Sequence, residues 1–373
     1  MTARATTIAG DHADRSLGHR LAASLILLGL LIASAFAQPA DARSLLHLDK
    51  YAAIVMDADS NEVLYARNPD AARPPASITK IMTLMIAFEE IDAGRLNLDD
   101  RVYFSATAAS QPPSKLGIGK GGWITVEQAI RLLTTKSAND VAVALAERIE
   151  GTEVAFAQRM TEKARSLGMN ATSFYNASGL PHAGHITTAR DLATLSSALI
   201  HQFPHYYAYF SAQSYTMDGQ TFPNHNRLLG ELVGLDGIKT GFTNAAGFTL
   251  AASAQRDGKR LIAIVLGAPS SAARNENITE LINSGFEVLK QRRYGRNTTV
   301  ASFMKEPEPS VVDLWSQPAT AQGSALDEDA EPTFKPTASL KSGGVSQPQE
   351  LSRAYAFTPF STSLMFQSYA WLR

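Results

Sequence analysis

Cysteine is absent from all 373 residues. A chain without thiols has no disulfide, no cysteine metal site and no thiol nucleophile, so its stability rests on an apolar core and its chemistry on other side chains. An excess of charge is missing too. Lys and Arg number 34 against 35 Asp and Glu, a formal net charge of −1, which excludes a broad field directed at nucleic acid or an acidic surface. Charged residues make up 18% and hydrophobic residues 45%, the balance of a chain with a sizeable buried interior. No internal repeat is present.

One long uncharged run does occur, LAASLILLGLLIASAFA, preceded by Arg15, His19 and Arg20 and ending in small residues at Ala35 and Ala37. It reads as a secretory signal over residues 1–37, cleaved after Ala37 or Ala42; an uncleaved anchor is the alternative, since 17 residues nearly span a bilayer. Export without cysteine suits a periplasmic enzyme built on a hydrophobic core.

Residues 45–291 are patterned as a folded domain. AAIVMD and EVLYA are short β-type runs separated by a turn at Ala58-Asp59-Ser60-Asn61. Helical spacing follows: Thr125 caps TVEQAIRLLTT with Gln128 completing a capping box, and NDVAVALAERIEG, FAQRMTEKARSLG and ARDLATLSSALI carry apolar residues at helical intervals. Strands return in GLDGIKTGF, FTLAASAQ and RLIAIVLG, the last two joined through Asp257-Gly258, a favoured hairpin turn, before a final amphipathic helix. Strands at both ends and helices between them predict an α+β fold, an antiparallel sheet flanked by helices with an inserted helical subdomain. Residues 292–373 are rich in Pro, Ser, Thr, Gly and acidic residues and read as a disordered tail. Its aromatic-rich end is read as bland, with peripheral contact to the inner membrane as the alternative.

Between Arg73 and Arg95 the only cationic side chain is Lys80, three residues after Ser77 in PPASITKIMTLMIAF. Pro74 and Pro75 disfavour helix just ahead of it and set Ser77 near a helix start. Positions i and i+3 share a helix face, so the amine can approach the hydroxyl. Burial disfavours the ammonium and leaves an amine able to take a proton, while backbone N–H groups at the helix start can receive negative charge that develops after attack on a carbonyl. Such a pair is an activated nucleophile.

Ser137-Ala138-Asn139 falls where one helix hands over to the next, which frees both polar side chains to aim into a cleft. Lys239-Thr240-Gly241 falls on a strand with glycines at 237 and 241, where a substrate backbone can run alongside. GIGKGG at 117–122 follows no clear strand and reads as a plain glycine-rich loop. His182 with His185, and His201 with His205, have metal-like spacing but no carboxylate set nearby and read as solvent-facing.

The ordered series S-x-x-K, S-x-N, K-T-G, together with PPASITKIMT, SANDVAVALAE, the passage from Leu167 to Leu180, NHNRLL, GLDGIKTGFTNAAGF and Arg274, resembles the D-alanyl-D-alanine carboxypeptidases. These are the low-molecular-mass penicillin-binding proteins, which share a fold with serine β-lactamases. The resemblance implies that Ser77 attacks the bond between two D-alanines of a peptidoglycan stem peptide and forms an acyl-enzyme, with Lys80 taking its proton. It implies that Ser137 relays a proton to the leaving amine and that Asn139 meets the substrate backbone. The N–H groups of Ser77 and Phe242 would form the oxyanion hole, Lys239, Thr240 and Arg274 would hold the terminal carboxylate, and Gly241 would lie against the substrate.

Under this resemblance neither a metal nor an organic cofactor takes part, and β-lactam antibiotics are inhibitors. Phe242 stands where some members carry histidine, so substrate handling is open. Cleavage of D-alanyl cross-links remains an alternative, as does a catalytically silent cell-wall peptide binder. A β-lactamase is a further alternative, although FYNASGLPHAG contains no glutamate of the class A kind.

Overall fold

The computed structural model describes residues 50–304; the signal segment and the tail beyond 304 lie outside the described residues. Strands β1 (Ala52–Asp57) and β2 (Val63–Arg67) form the expected hairpin. A 3-10 turn at Ala76–Thr79 runs directly into helix α1 (Lys80–Asp92). Two short strands, β3 (Arg101–Tyr103) and β4 (Trp123–Thr125), enclose α2 (Ala106–Ala109) and a long loop. Helices α3 (Val126–Thr134), α4 (Asn139–Glu150), α5 (Glu153–Ser166) and α6 (Ala189–Gln202) follow. A second small hairpin, β5 (Ser214–Met217) and β6 (Gln220–Pro223), precedes β7 (Leu235–Thr243), β8 (Gly247–Arg256), β9 (Lys259–Ala268) and α7 (Ser271–Arg293).

The main sheet has the order β2-β1-β9-β8-β7, every neighbouring pair antiparallel, so strands from the two ends of the domain meet where β1 pairs with β9. Both faces of its centre are covered, which is why β1 and β9 read as continuous apolar runs. Period two still sorts them: Leu261, Ala263 and Val265 join the core beneath α7, whereas Ile262, Ile264 and Leu266 join the larger core shared with α1, α4 and α6. Helix α1 lies inside that larger core, buried from Lys80 to Phe88, which explains its nearly unbroken apolar sequence.

The local devices read from the sequence form as expected. Thr125 and Gln128 make the reciprocal capping box. Asp257 and Gly258 take left-handed φ of 48° and 72° between the paired residues Arg256 and Lys259, the geometry a two-residue hairpin requires. The domain boundary expected at 291 falls short. Helix α7 continues to Arg293, and Val300 and Met304 pack into the core beneath the sheet. Composition turns polar before packing ends, because two apolar anchors suffice to hold a polar segment.

Candidate active site

The 3-10 turn before α1 brings Ser77 and Lys80 into register, since residues i and i+3 eclipse in that geometry. Lys80 Nζ lies 3.0 Å from Ser77 Oγ. Ala76, just before Ser77, has a left-handed φ of 49°, a strained conformation that turns the chain sharply into the helix. The Lys80 side chain is fully buried, and Nζ also meets Asn139 Oδ1 at 2.8 Å and the Ser178 carbonyl at 2.7 Å. Burial first, then the positive charge of Lys239, hold its pKa well below the ordinary lysine value, with Asp140 opposing.

Ser137 and Asn139 enter from the junction of α3 and α4. Ser137 takes a left-handed φ of 62°, and its buried Oγ has no hydrogen-bond partner among the described residues. A strained residue with an unsatisfied buried hydroxyl, two residues from the Asn139 side chain that meets Lys80, is a feature that calls for a functional account. Asn139 opens α4 and is anchored by its Nδ2, which donates to the Pro112 carbonyl. The adjacent Asp140 accepts N–H groups of Leu116 and Gly117 and so ties the long loop to this junction. Burial raises the Asp140 pKa. Nothing in the sequence analysis singled it out, although an acidic residue in a first helical turn is a recognisable signal.

The third motif arrives on β7. A Cβ on Gly241 would lie 2.8 Å from Ser77 N and 3.0 Å from Ala76 Cβ, so only glycine lets this strand run against Ser77. Lys239 and Thr240 are buried beside it, and Lys239 Nζ donates to the Thr240 carbonyl. Phe242 follows on the strand and packs its ring on Phe248, centroids 4.3 Å apart. Arg274 sits buried in the first turns of α7, donating to Asn275 Oδ1 through Nε and Nη2. A cleft of about 310 Å³ opens beside the Pro74-Pro75 step that leads into this turn, lined also by Gly179, Leu180, His182 and Thr243.

The segment 176–186 carries contacts that sequence reasoning assigned to no residue. Besides the Ser178 carbonyl on Lys80, Thr83 Oγ1 donates to the Ala177 carbonyl. His185, expected to face solvent, is instead buried at 2% exposure. Its Nδ1 accepts the Tyr175 N–H, which leaves Nε2 protonated and donating to Thr79 Oγ1 at 2.9 Å. A glycine-containing loop gives no periodicity from which such burial could be read. Burial first, then the charges of His182 and Lys80, lower the His185 pKa from 6.5 to about 4.

The unfolded chain therefore takes up a proton here over a range of pH in which the folded protein refuses it. The contribution is complete above the ordinary value and is lost as pH falls toward the folded one. Urea unfolding at about pH 7 and about pH 5 should show His185→Asn losing about 2 kcal/mol less on acidification than the wild type. Equal losses would mean that the folded imidazole takes up its proton over the same pH range as the unfolded chain.

Among the described residues, no group of three or more His, Cys, Asp or Glu gathers as a metal site, and no helix is long and apolar enough to cross a membrane.

The peptidase S11 family model, described as D-alanyl-D-alanine carboxypeptidase, matches residues 38–270. The D-alanyl-D-alanine carboxypeptidase DacF of Bacillus subtilis (strain 168) is 35% identical over 304 residues, covering 78% of each chain. A D-alanyl-D-alanine endopeptidase of Escherichia coli (strain K12) is 33% identical over 265 residues, 66% of this chain and 82% of that one. Among solved structures, penicillin-binding protein D2 from Listeria monocytogenes in its cefotaxime-bound form superposes with a TM-score of 0.59 at 36% identity, covering 63% of this chain and 96% of that one.

Proposed function

Because this chain belongs to the D-alanyl-D-alanine carboxypeptidase family and is a penicillin-binding serine peptidase of the β-lactamase-like fold, we propose that it removes the terminal D-alanine of peptidoglycan stem peptides through an acyl-enzyme on Ser77. The observation that carries the proposal is the buried Lys80 amine 3.0 Å from the Ser77 hydroxyl. Lys80 takes the hydroxyl proton as Oγ bonds to the penultimate D-alanine carbonyl carbon. The Ser77 and Phe242 N–H groups receive the oxyanion; the close approach of β7 to Ser77 N supports that pairing. The unsatisfied Ser137 hydroxyl passes a proton to the departing amine. Lys239, Thr240 and Arg274 hold the carboxylate of the leaving D-alanine, and Asn139 meets the substrate backbone. Water then releases the shortened peptide.

The signal segment over residues 1–37, with its apolar run at 21–37, supports export to the periplasm, and the aromatic C-terminal end supports peripheral membrane contact. A second reading, hydrolysis of D-alanyl cross-links, is favoured by the likeness to the endopeptidase.

A labelled penicillin should acylate Ser77 and stay bound long after free drug is removed. A pentapeptide stem should lose one D-alanine by mass. Release of hydrolysed drug as fast as it reacts would move the assignment to β-lactamase, and absence of labelling would favour a silent binder. Faster splitting of a cross-linked dimer than of the pentapeptide would put the endopeptidase first.

A further inference from the structure

An uncharged amine has two N–H bonds and one lone pair, and it can act as a base only toward the neighbour that the lone pair faces. The Lys80 amine has three neighbours in hydrogen-bond range. Two of them, Asn139 Oδ1 at 2.8 Å and the Ser178 carbonyl at 2.7 Å, can only accept; the third, Ser77 Oγ, can accept or donate. With both carbonyls in place the two N–H bonds are used, and the lone pair is left for the Ser77 hydroxyl. With either carbonyl displaced, an N–H turns toward Oγ and the pair is oriented the wrong way round.

Asn139 is fixed through its own amide on the Pro112 carbonyl, but the Ser178 carbonyl belongs to a loop and needs another anchor. Asn176 supplies it. Its Oδ1 accepts the N–H of Gly179 at 2.7 Å and of Ser178 at 3.2 Å, together with the Ser178 hydroxyl, while its Nδ2 donates to the Leu180 carbonyl at 2.9 Å. One side chain thereby holds peptide groups on both sides of Ser178. Thr83, one turn beyond Lys80 on α1, holds the preceding Ala177 carbonyl.

We infer that Asn176 is a positioning residue for acylation: by fixing the Ser178 carbonyl it directs the lone pair of the Lys80 amine at the Ser77 hydroxyl. The inference rests on Lys80 as the base that accepts the Ser77 proton. In the step, the Ser77 O–H bond breaks and its proton joins the Lys80 nitrogen. Its electron pair forms the bond from Oγ to the substrate carbonyl carbon, and the resulting ammonium donates to the two carbonyls already in place. The other charged and titratable groups that act on the amine, Lys239 from β7, Asp140 from α4 and His185 from the loop, are untouched by changes at Asn176.

The test is the rate of Ser77 acylation by a fluorescent penicillin across the pH range, normalised to the fraction of molecules that label at saturation, for wild type, Asn176→Ala and Asn176→Ser. Serine keeps a side-chain oxygen able to accept a backbone N–H two residues on. Asn176→Ala should lower the plateau roughly 10- to 100-fold. It should also move the acid limb down by about half to one pH unit, because an ammonium deprived of a carbonyl acceptor gives up its proton more readily. Asn176→Ser should recover most but not all of both; if the alanine variant does not fold, the remaining downward shift of the serine limb decides the matter, and a serine limb at the wild-type position overturns the inference. Wild-type rates with an unmoved limb overturn the inference, and so does a lower labelled fraction whose normalised profile matches wild type, which is the signature of a structural role alone. A wild-type profile without any acid limb overturns this inference and the base role of Lys80 together, whereas a normal wild-type limb unchanged in both variants overturns this inference only.

Discussion

Lys80→Met is expected to slow acylation of Ser77 by about 10³- to 10⁴-fold, while the melting temperature stays within about 5 °C of wild type. The two outcomes separate because the amine contributes to chemistry and to stability in different ways. Methionine fills the same buried channel without an amine that must give up its proton and hydration on folding, which removes an unfavourable term. Against that, Asn139 Oδ1 and the Ser178 carbonyl each lose a donor, at about 1 kcal/mol or more apiece. The opposing terms are of similar size and largely cancel in the fold. Nothing replaces the lost base, since the other lysine that acts on this amine, Lys239, donates to the Thr240 carbonyl. Rapid mixing with a labelled penicillin, beside a thermal melt, measures both. Acylation at the wild-type rate would remove Lys80 from the base role.

Gly179→Ala is expected to disturb the fold and the chemistry together, costing about 2–4 kcal/mol of stability and slowing acylation of the folded fraction about 100-fold. Gly179 has a left-handed φ of 88°, and a Cβ there would lie 1.9 Å from the Ala76 carbonyl oxygen and 2.4 Å from its carbon. Neither neighbour is a side chain that could swing away. The backbone displaced is the strained residue just ahead of the nucleophile, and Gly179 itself follows the carbonyl that binds Lys80, so one methyl disturbs the hydroxyl and the amine at once. Gly94→Ala isolates the conformational part. Its φ is 69°, with nothing within 4 Å of the new Cβ, so it should cost only about 1 kcal/mol and leave acylation unchanged. Equal behaviour of the two variants in denaturant titrations would show that the close approach to Ala76 is not needed.

Both predictions concern contacts between segments far apart in the chain, and that is where reading from sequence ended. The pairing of Ser77 with Lys80 was legible because three residues of helical geometry fix it locally. The capping box at Thr125 and the turn at Asp257-Gly258 were legible for the same reason. The fold class followed from the order of periodic segments, since strands at both ends of a domain that share one apolar face must meet in one sheet. Segment 176–186 has no such periodicity. Its hydrogen bonds to Lys80, Thr83 and Thr79 span 98, 94 and 106 residues, and the burial of His185 follows from them rather than from its neighbours in sequence. The boundary at 291 was misplaced because apolar anchors at Val300 and Met304 are too sparse to register as a pattern.

By itself the sequence determined the identity and order of the reactive groups, the local geometry that pairs hydroxyl with amine, and the family to which the three motifs point. Only the tertiary structure decided which carbonyls face that amine, that Gly241 and Gly179 must be bare for two distant strands of chain to reach the nucleophile, and that the Ser137 hydroxyl is left unsatisfied. The division has one physical cause. Short-range sterics and periodicity are written in neighbouring residues, whereas the direction of a lone pair depends on acceptors delivered by loops that meet only once the core has packed.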